Sequence, residues 1–307
     1  MGETLELALK GAGGEPVDLW RTLDSHGFSE LPPMRLAEPH VLEVTLPAGR
    51  GRPRLVRISG DRFGPALVEV SGPSASAAAV ERILSNVGHV LRLDEDLSSF
   101  YAAASEDPDL AWAATGAGRM LRSASVFEDV VKTICTTNCA WSATERMVGA
   151  IVEHLGVPAA GPRRDGPWGR AFPSPEAMAA AGEDFYRGIA RAGYRGPYLI
   201  SIARSVADGR LDLEALGRTP REDLPDEEVE SLLLALPGVG PYASAHIMMT
   251  IGRYSRLILD SWTRPTYARL VGRTAATDRA IERRFRRFGP YAGLAFWLFL
   301  TRSWVDD

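Results

Sequence analysis

The stretch 224–262 places a tight turn between two segments whose apolar residues recur with helical spacing. The turn consists of Pro237, Gly238, Val239 and Gly240. Pro241 follows, and proline suits the first position of a helix because its missing N–H would be unpaired there anyway. The glycines allow a positive φ and let another backbone come close. The second helix therefore begins with free N–H groups, a site for an anion such as a phosphate.

A single carboxylate follows this turn by about twenty residues. The apolar run 257–259 leads to Asp260, just before a further predicted helix that begins at Trp262. Taken alone, the turn also fits a plain connection between two packed helices, and Asp260 also fits the N-cap of the next helix. The combination of the two features is more specific than either one.

Basic residues are concentrated toward the C-terminus. From Ser231 onward there are 11 Arg, no Lys and 5 acidic side chains, a charge of +6, whereas the first 230 residues carry 24 basic and 34 acidic side chains, a charge of −10. This asymmetry indicates a surface for a polyanion. The chain has only two lysines, Lys10 and Lys132.

Two patterns divide the chain. The segments 40–49, 54–60 and 66–72 alternate apolar and polar residues, which predicts an antiparallel sheet, and 74–93 has the spacing of a helix that covers one face of it. Beyond residue 94 the pattern is helical. The predicted helices are 95–104, 108–114, 125–138, 141–155, 175–181, 183–192, 196–208, 226–235, 241–251, 262–271, 278–287 and 291–303. The predicted fold class is α+β.

The turn followed by an aspartate resembles the signature of the helix-hairpin-helix (HhH-GPD) DNA glycosylase superfamily. The chain is most similar to the AlkA-type 3-methyladenine and the 8-oxoguanine DNA glycosylases, and the segments 127–148, 192–206 and 289–300 extend the resemblance. It implies an N-terminal antiparallel β domain followed by a two-domain, all-helical core. The domains expected are 1–93 for the sheet and its helix, 94–225 for a helical domain with a segment that fills the gap in DNA, and 226–307 for the hairpin domain.

The resemblance implies that Asp260 is catalytic. A carboxylate there would stabilise positive charge on the sugar and orient or deprotonate a water molecule. Relatives that also cleave the DNA backbone carry a lysine two residues after the second hairpin glycine, where this chain has Tyr242, and no lysine occurs in 133–307. We therefore expect a monofunctional, hydrolytic glycosylase without lyase activity, whose Tyr242 lines the base pocket.

The damaged base has to leave the duplex to be reached. Asn138 falls where relatives insert a residue into the vacated stack, although a helix-capping asparagine fits equally well. The other expected pocket residues are His246, Trp141, Trp262 and Phe296, each of which would also fit a core position. Aromatic faces suit an electron-poor alkylated purine.

The residues by which the 8-oxoguanine enzymes read their base are not preserved. Their glutamine and phenylalanine on the C-terminal helix correspond to Phe296 and Leu300, and a histidine two residues after the aspartate corresponds to Trp262. The alternatives to an alkylated purine are 8-oxoguanine bound through other contacts, and a deaminated or mismatched base. A non-catalytic DNA-binding protein is the alternative from another class. It predicts an Asp260 that faces solvent rather than a pocket bordered by Tyr242 and Trp141.

The remaining expectations concern partners and cofactors. The partner is double-stranded DNA with a damaged base, with Arg264 and Arg269 as candidate phosphate contacts. No metal or cofactor site is expected from side chains, because two cysteines, Cys135 and Cys139, are too few for a cluster and fit a helical core instead. The resemblance is compatible with a monovalent cation bound by hairpin carbonyls. We expect a monomer in the cytoplasm, associated with the nucleoid and without a membrane partner.

Overall fold

The alternating segments near the N-terminus form an antiparallel sheet, as predicted. The computed structural model describes residues 3–49 and 51–305. The sheet has the strand order β1-β5-β4-β3-β2, in which every neighbouring pair is antiparallel. Its strands are β1 (Glu3–Leu7), β2 (Met34–Glu38), β3 (Val41–Leu46), β4 (Arg54–Ser59) and β5 (Ala66–Val70).

One long helix covers the sheet. Between β1 and β2 the chain forms the short α1 (Leu19–Leu23), and after β5 it forms α2 (Ala77–Val90). Ile83, Val87 and Val90 of α2 are fully buried in one apolar cluster with residues of the strands. The predicted covering helix is thereby confirmed. Because hydrophobic burial is the main favourable term in folding, this cluster stabilises the N-terminal part.

The rest of the chain is helical. Its helices are α3 (Ser98–Ser105), α4 (Val126–Thr136), α5 (Trp141–Leu155), α6 (Pro175–Ala180), α7 (Gly182–Asp184), α8 (Arg195–Ala207), α9 (Leu213–Arg218), α10 (Asp226–Leu234), α11 (Pro241–Thr250), α12 (Thr263–Leu270), α13 (Asp278–Phe285) and α14 (Ala292–Thr301). Short 3-10 helices cover Gly27–Glu30, Ala111–Thr115 and Arg286–Tyr291, and a π-helical turn covers Phe185–Ile189. The prediction missed α1 and α9, both of which are too short for a clear period.

Two apolar clusters hold the helices together. The first joins α4, α5 and α8 to α10 and α11, and the second joins α3 to α12, α13 and α14. Helix α11 belongs to both, since Ala243, Ile247 and Met248 lie in the first cluster and Ala245 and Met249 in the second. A helix that is buried on opposite sides needs apolar residues on both, and α11 has them. Within the described ranges, no helix is long and apolar enough to cross a bilayer.

Candidate functional site

A cavity of about 1170 Å³ opens at the N-terminal end of α11. It brings together residues from the hairpin, from the loop between α4 and α5, from the start of α12 and from the N-terminal part. The predicted site residues that line it are Asn138, Trp141, Gly238, Gly240, Tyr242, His246, Asp260 and Trp262. Residues separated by more than a hundred positions in sequence therefore meet in one cleft.

Asp260 is half-buried, and one oxygen of its carboxylate is held by backbone. The N–H groups of Trp262 and Thr263 donate to Asp260 Oδ1 at 2.8 and 2.7 Å, and the N–H of Asp260 donates to Thr263 Oγ1 at 2.8 Å. This reciprocal pattern caps the start of α12 and fixes the direction of the carboxylate. Across residues 3–49 and 51–305, no hydrogen bond to the second oxygen, Oδ2, occurs. Asp260 thus accepts the N–H groups at the start of α12, as the N-cap interpretation expects, although the residue that directly precedes the helix is Trp262.

One wall of the cavity is a stack of rings. The ring of His246 is stacked on Phe28, with centroids 5.0 Å apart and planes 19° apart, and meets Tyr242 and His26 edge-on at 5.9 and 6.1 Å. The Tyr242 hydroxyl lies 3.4 Å from Thr136 Oγ1. Aromatic pairs at such separations stabilise one another beyond their burial, so the wall is preorganised.

Both histidines of this wall are neutral at physiological pH. Burial, together with the nearby His246, lowers the pKa of His26 to about 3. Burial lowers the pKa of His246 to about 4, although the neighbouring Asp260 acts in the opposite direction. His26 Nε2 lies 2.6 Å from the carbonyl of Leu121, and its Nδ1 accepts from the N–H of Phe28 at 3.3 Å. These contacts place the proton of His26 on Nε2.

Three tryptophans form a second aromatic part of the cavity lining. Trp262 packs at a tilt against Trp297 and Trp304, with centroids 5.7 and 5.8 Å apart. Trp297 Nε1 donates to the carbonyl of Ser25 at 2.8 Å, which ties α14 to the N-terminal part. Trp262 and Trp304 keep 40% and 44% of their surface exposed, enough for a flat ligand to stack on them.

The loop between α4 and α5 supplies the outer rim. Asn138 has a φ of +48°, a conformation that asparagine tolerates better than most residues, and its side chain donates to the Tyr194 hydroxyl at 3.3 Å. Within residues 3–49 and 51–305 the Asn138 side chain makes no hydrogen bond to either helix end, but its positive φ directly follows Thr137, the C-cap of α4, so the gap-filling and capping interpretations both stay predictions. Trp141, 38% exposed, lies against Gly27, where a Cβ would come within 2.9 Å of its ring.

The hairpin has the geometry that its glycines predicted. Gly238 has a φ of +84°, and a Cβ there would lie 2.6 Å from the ring of Tyr198. Val239 is buried in the first helical cluster, whereas Gly238 and Gly240 face the cavity. In the described chain, the carbonyls of Pro237, Gly238 and Val239 accept no backbone hydrogen bond. These free oxygens fit the hard ligands that a cation such as Na⁺ or K⁺ would need.

One residue predicted for the pocket, Phe296, and one predicted for the core, Cys139, lie elsewhere in the structure. Phe296 does not line the cavity but is fully buried in the second cluster, where its ring packs on Phe285 at 5.3 Å. The next residue, Trp297, faces the cavity instead. Consecutive residues of a helix point about 100° apart, so a shift of one position changes the face. Cys135 lies in the core as expected, but Cys139 is exposed at the cavity rim.

The two arginines proposed as phosphate contacts differ in their surroundings. Arg264 forms a two-pronged ion pair with Asp278, at 2.7 and 3.0 Å, beside a separate polar cavity of about 1100 Å³. Arg269 is exposed, and no ion pair involves it in the described ranges. Arg269 is thus open to an anion, whereas Arg264 would have to exchange its carboxylate partner.

Sequence reasoning missed several residues of the cavity. These are His26, Phe28, Tyr194, Tyr198, Trp297 and Trp304. Tyr194 and Tyr198 occur in the segment 192–206 that carried the family resemblance, but nothing local marked His26 or Phe28 as part of a site. In the portion of the chain that is described, no cluster of three or more His, Cys, Asp or Glu could hold a metal ion.

Comparison with known proteins identifies the fold. No family model matches the chain. A curated Bacillus subtilis protein, named "Putative DNA-3-methyladenine glycosylase YfjP", is 27% identical over 110 residues, which are 36% of this chain. The match spans about a third of that relative's length, 33%.

Solved structures match over almost the full chain. The 3-methyladenine DNA glycosylase from Archaeoglobus fulgidus superposes with a TM-score of 0.71 at 20% identity, over 99% of this chain and 100% of that one. MBOgg1 in complex with a low-affinity DNA ligand gives 0.71 at 21% identity, over 95% and 94%. The Clostridium acetobutylicum 8-oxoguanine glycosylase/lyase with DNA containing cytosine opposite 8-oxoguanine gives 0.68 at 20% identity, over 98% and 97%. The chain therefore has the fold of the 3-methyladenine and 8-oxoguanine DNA glycosylases, as its sequence resemblance predicted.

Proposed function

We propose that this protein is a DNA glycosylase that hydrolyses the N-glycosidic bond of an alkylated purine in double-stranded DNA. The observation that carries the proposal is the position of Asp260. Its carboxylate lies in a cavity bordered by Tyr242 and Trp141, with Oδ1 held by backbone and Oδ2 open to the cavity. A protein that only binds DNA through a hairpin needs no such carboxylate, which disfavours the non-catalytic alternative.

The chemistry follows from the open oxygen. As the bond between the base and C1′ of the sugar breaks, positive charge develops on the sugar, and a preorganised carboxylate stabilises it. A water molecule then forms the new bond to C1′ and gives up its proton, for which Asp260 Oδ2 is the acceptor. Base and abasic DNA are the products. Because Oδ1 is anchored by two N–H groups, the carboxylate does not have to be reoriented during the reaction.

Lyase activity requires an amine that can reach the sugar. The hairpin position that would carry it is Tyr242, and Lys132 is fully buried, with Nζ 2.7 Å from Glu128 Oε1. Lys132 also lies behind the ring of Phe28, 5.8 Å from its centroid. An amine held in a buried ion pair is not available as a nucleophile. We therefore propose a monofunctional enzyme.

The surroundings of the cavity favour an alkylated base. An N-alkylated purine carries positive charge, which aromatic faces attract, and the cavity is lined both by the wall of Phe28, His246 and Tyr242 and by three tryptophans. Both histidines of the wall are neutral, so they do not repel a cationic base.

Binding of the duplex is proposed to use the hairpin and Asn138, which both line the cavity, and Arg269, which is exposed on α12. The hairpin presents the N-terminal end of α11 to a phosphate. Asn138 is placed at the rim, where it can fill the gap left by the flipped base. Arg269 supplies an open guanidinium for a second phosphate. A monovalent cation at the hairpin carbonyls would add charge at the phosphate contact. A monomer associated with the nucleoid in the cytoplasm remains our expectation.

The test is release of bases from duplexes that contain 7-methylguanine, 3-methyladenine, hypoxanthine or 8-oxoguanine, with products read before and after alkali. The proposal predicts release of the alkylated bases and strand breaks only after alkali. Excision restricted to 8-oxoguanine would contradict the substrate assignment, and strand cleavage without alkali would contradict the monofunctional mechanism. Tight binding of a lesion without release of any base would indicate the non-catalytic alternative.

A further inference from the structure

We infer that His246 is a specificity-determining residue, which presents Nε2–H as a hydrogen-bond donor to an acceptor atom on the edge of the extruded base. The inference rests on the proposed glycosylase function and narrows its substrate class. The base would be an N-alkylated purine that carries positive charge and keeps an unsubstituted acceptor, a ring nitrogen or a carbonyl oxygen, on the edge that faces α11.

The direction of the ring is fixed by its neighbours. Phe28 is stacked on one face of His246 at 5.0 Å, Tyr242 meets it edge-on at 5.9 Å and His26 does so at 6.1 Å. Phe28 is itself held in place, because its N–H donates to His26 and its side chain is buried in the first helical cluster. A ring confined on three sides presents a constant edge to the cavity, as a residue that reads a ligand must.

The two ring nitrogens of His246 have different surroundings. Nδ1 is buried, and no hydrogen-bond partner for it is found in the described ranges 3–49 and 51–305. Nε2 is not among the buried unpartnered atoms, so it is the ring nitrogen that reaches accessible surface, and the residue lines the cavity. An unpaired buried N–H is rarer in proteins than an unpaired buried acceptor. The proton therefore lies on Nε2, and the cavity receives a donor.

The charge state of His246 supports the same substrate class. Its pKa of about 4 leaves the ring neutral under physiological conditions. A neutral donor can approach a cationic base without repulsion, and it pairs with an acceptor atom that a fully substituted edge would lack. When a base enters the cavity, the N–H of His246 loses its contact with water. A base that lacks the acceptor leaves this N–H unpaired, so its excision should be roughly tenfold slower than that of a base that has the acceptor.

The experiment compares single-turnover excision of 7-methylguanine and of hypoxanthine by wild type, His246→Phe and His246→Gln. His246→Phe keeps the stack on Phe28 but removes the N–H, so excision of 7-methylguanine should fall about tenfold. His246→Gln restores an N–H donor and should recover most of that loss. His154→Phe, at an exposed histidine of α5 outside the cavity, is the matched control and should keep the wild-type rate.

A third variant tests the charge requirement. His246→Lys supplies a donor with a positive charge, so it should slow the release of cationic 7-methylguanine more than the release of neutral hypoxanthine. Full activity of His246→Phe, or no recovery in His246→Gln, would overturn the inference while leaving the glycosylase function intact. Absence of base release by wild type would overturn the glycosylase function and the inference together.

Discussion

The two oxygens of the Asp260 carboxylate have different surroundings, and the proposed mechanism gives each of them a different role. Oδ1 accepts the N–H groups of Trp262 and Thr263 and thereby caps α12. Oδ2 accepts no hydrogen bond within residues 3–49 and 51–305, and the proposed mechanism assigns it to the reacting sugar. Both roles were expected from the sequence, because an aspartate at the start of a helix can cap that helix and still take part in a reaction. Only the structure separates the two oxygens.

Two substitutions of Asp260 should separate its roles. Asparagine retains an oxygen that accepts both N–H groups, so Asp260→Asn should change the free energy of unfolding by less than about 0.5 kcal/mol, whereas Asp260→Ala should lower it by about 1 kcal/mol through loss of the cap. Urea denaturation of the two variants and wild type measures this. Equal destabilisation by Asn and Ala would show that the carboxylate stabilises the fold by charge rather than by capping.

At the scale of elements, the hairpin is the part that local sequence determines most completely. The positive φ of Gly238 and its contact with Tyr198 leave no room for a side chain. Gly240 has a φ of −104°, and a Cβ there would meet nothing within 4 Å. A side chain is therefore excluded at Gly238 but can be accommodated at Gly240.

This difference gives a matched pair of variants. Gly238→Ala should weaken duplex binding and lower the free energy of unfolding by at least about 1 kcal/mol, because alanine at positive φ is strained and its Cβ meets Tyr198. Gly240→Ala should be tolerated by the fold. Thermal denaturation and titration with duplex DNA test both effects. Similar losses in both variants would mean that the hairpin acts through something other than the backbone geometry of Gly238.

Other elements were predictable to different degrees. The sheet and α2 follow from clear periods of two and 3.6 residues, so they could be predicted from the sequence. The contribution of residues 26–28, at the start of the 3-10 helix Gly27–Glu30, could not be predicted, because it depends on the packing of the N-terminal part against α11. Phe296 was placed in the pocket wrongly, since a pattern that is apolar on every side of α14 does not reveal which face points to a cleft.

At the scale of the whole molecule, the cavity exists because separate parts of the chain meet. Phe28, from the segment before β2, is buried in the first helical cluster with its ring against His246 of α11 and Lys132 of α4, and Trp297 reaches back to the carbonyl of Ser25. Both helical clusters also draw residues from either side of residue 225. Such long-range contacts are set by the global packing and are not encoded in any local period, so most of the cavity wall could not be predicted.

Burial of His26 in this packing makes the stability of the fold depend on pH. Its pKa in the folded protein is lowered to about 3, below the value of 6.5 expected when unfolded. Between these values the unfolded chain binds a proton that the folded protein excludes, so stability decreases as pH falls through that window and is unaffected above it. The stability advantage of wild type over His26→Gln should therefore shrink from pH 7.5 to about pH 4.5, as urea denaturation at both values would measure. An advantage that grew on acidification would mean that folded His26 is protonated.

The most direct test of the proposed mechanism is the single-turnover rate of base release from a duplex containing 7-methylguanine, measured for wild type, Asp260→Asn and Asp208→Asn. Asp208 is a control of the same chemistry, since it is an exposed aspartate that pairs with Arg210 and does not line the cavity. We expect Asp260→Asn to slow release by about 10²-fold or more and Asp208→Asn to stay close to wild type. Release by Asp260→Asn at the wild-type rate would contradict the assignment of the reaction to this carboxylate.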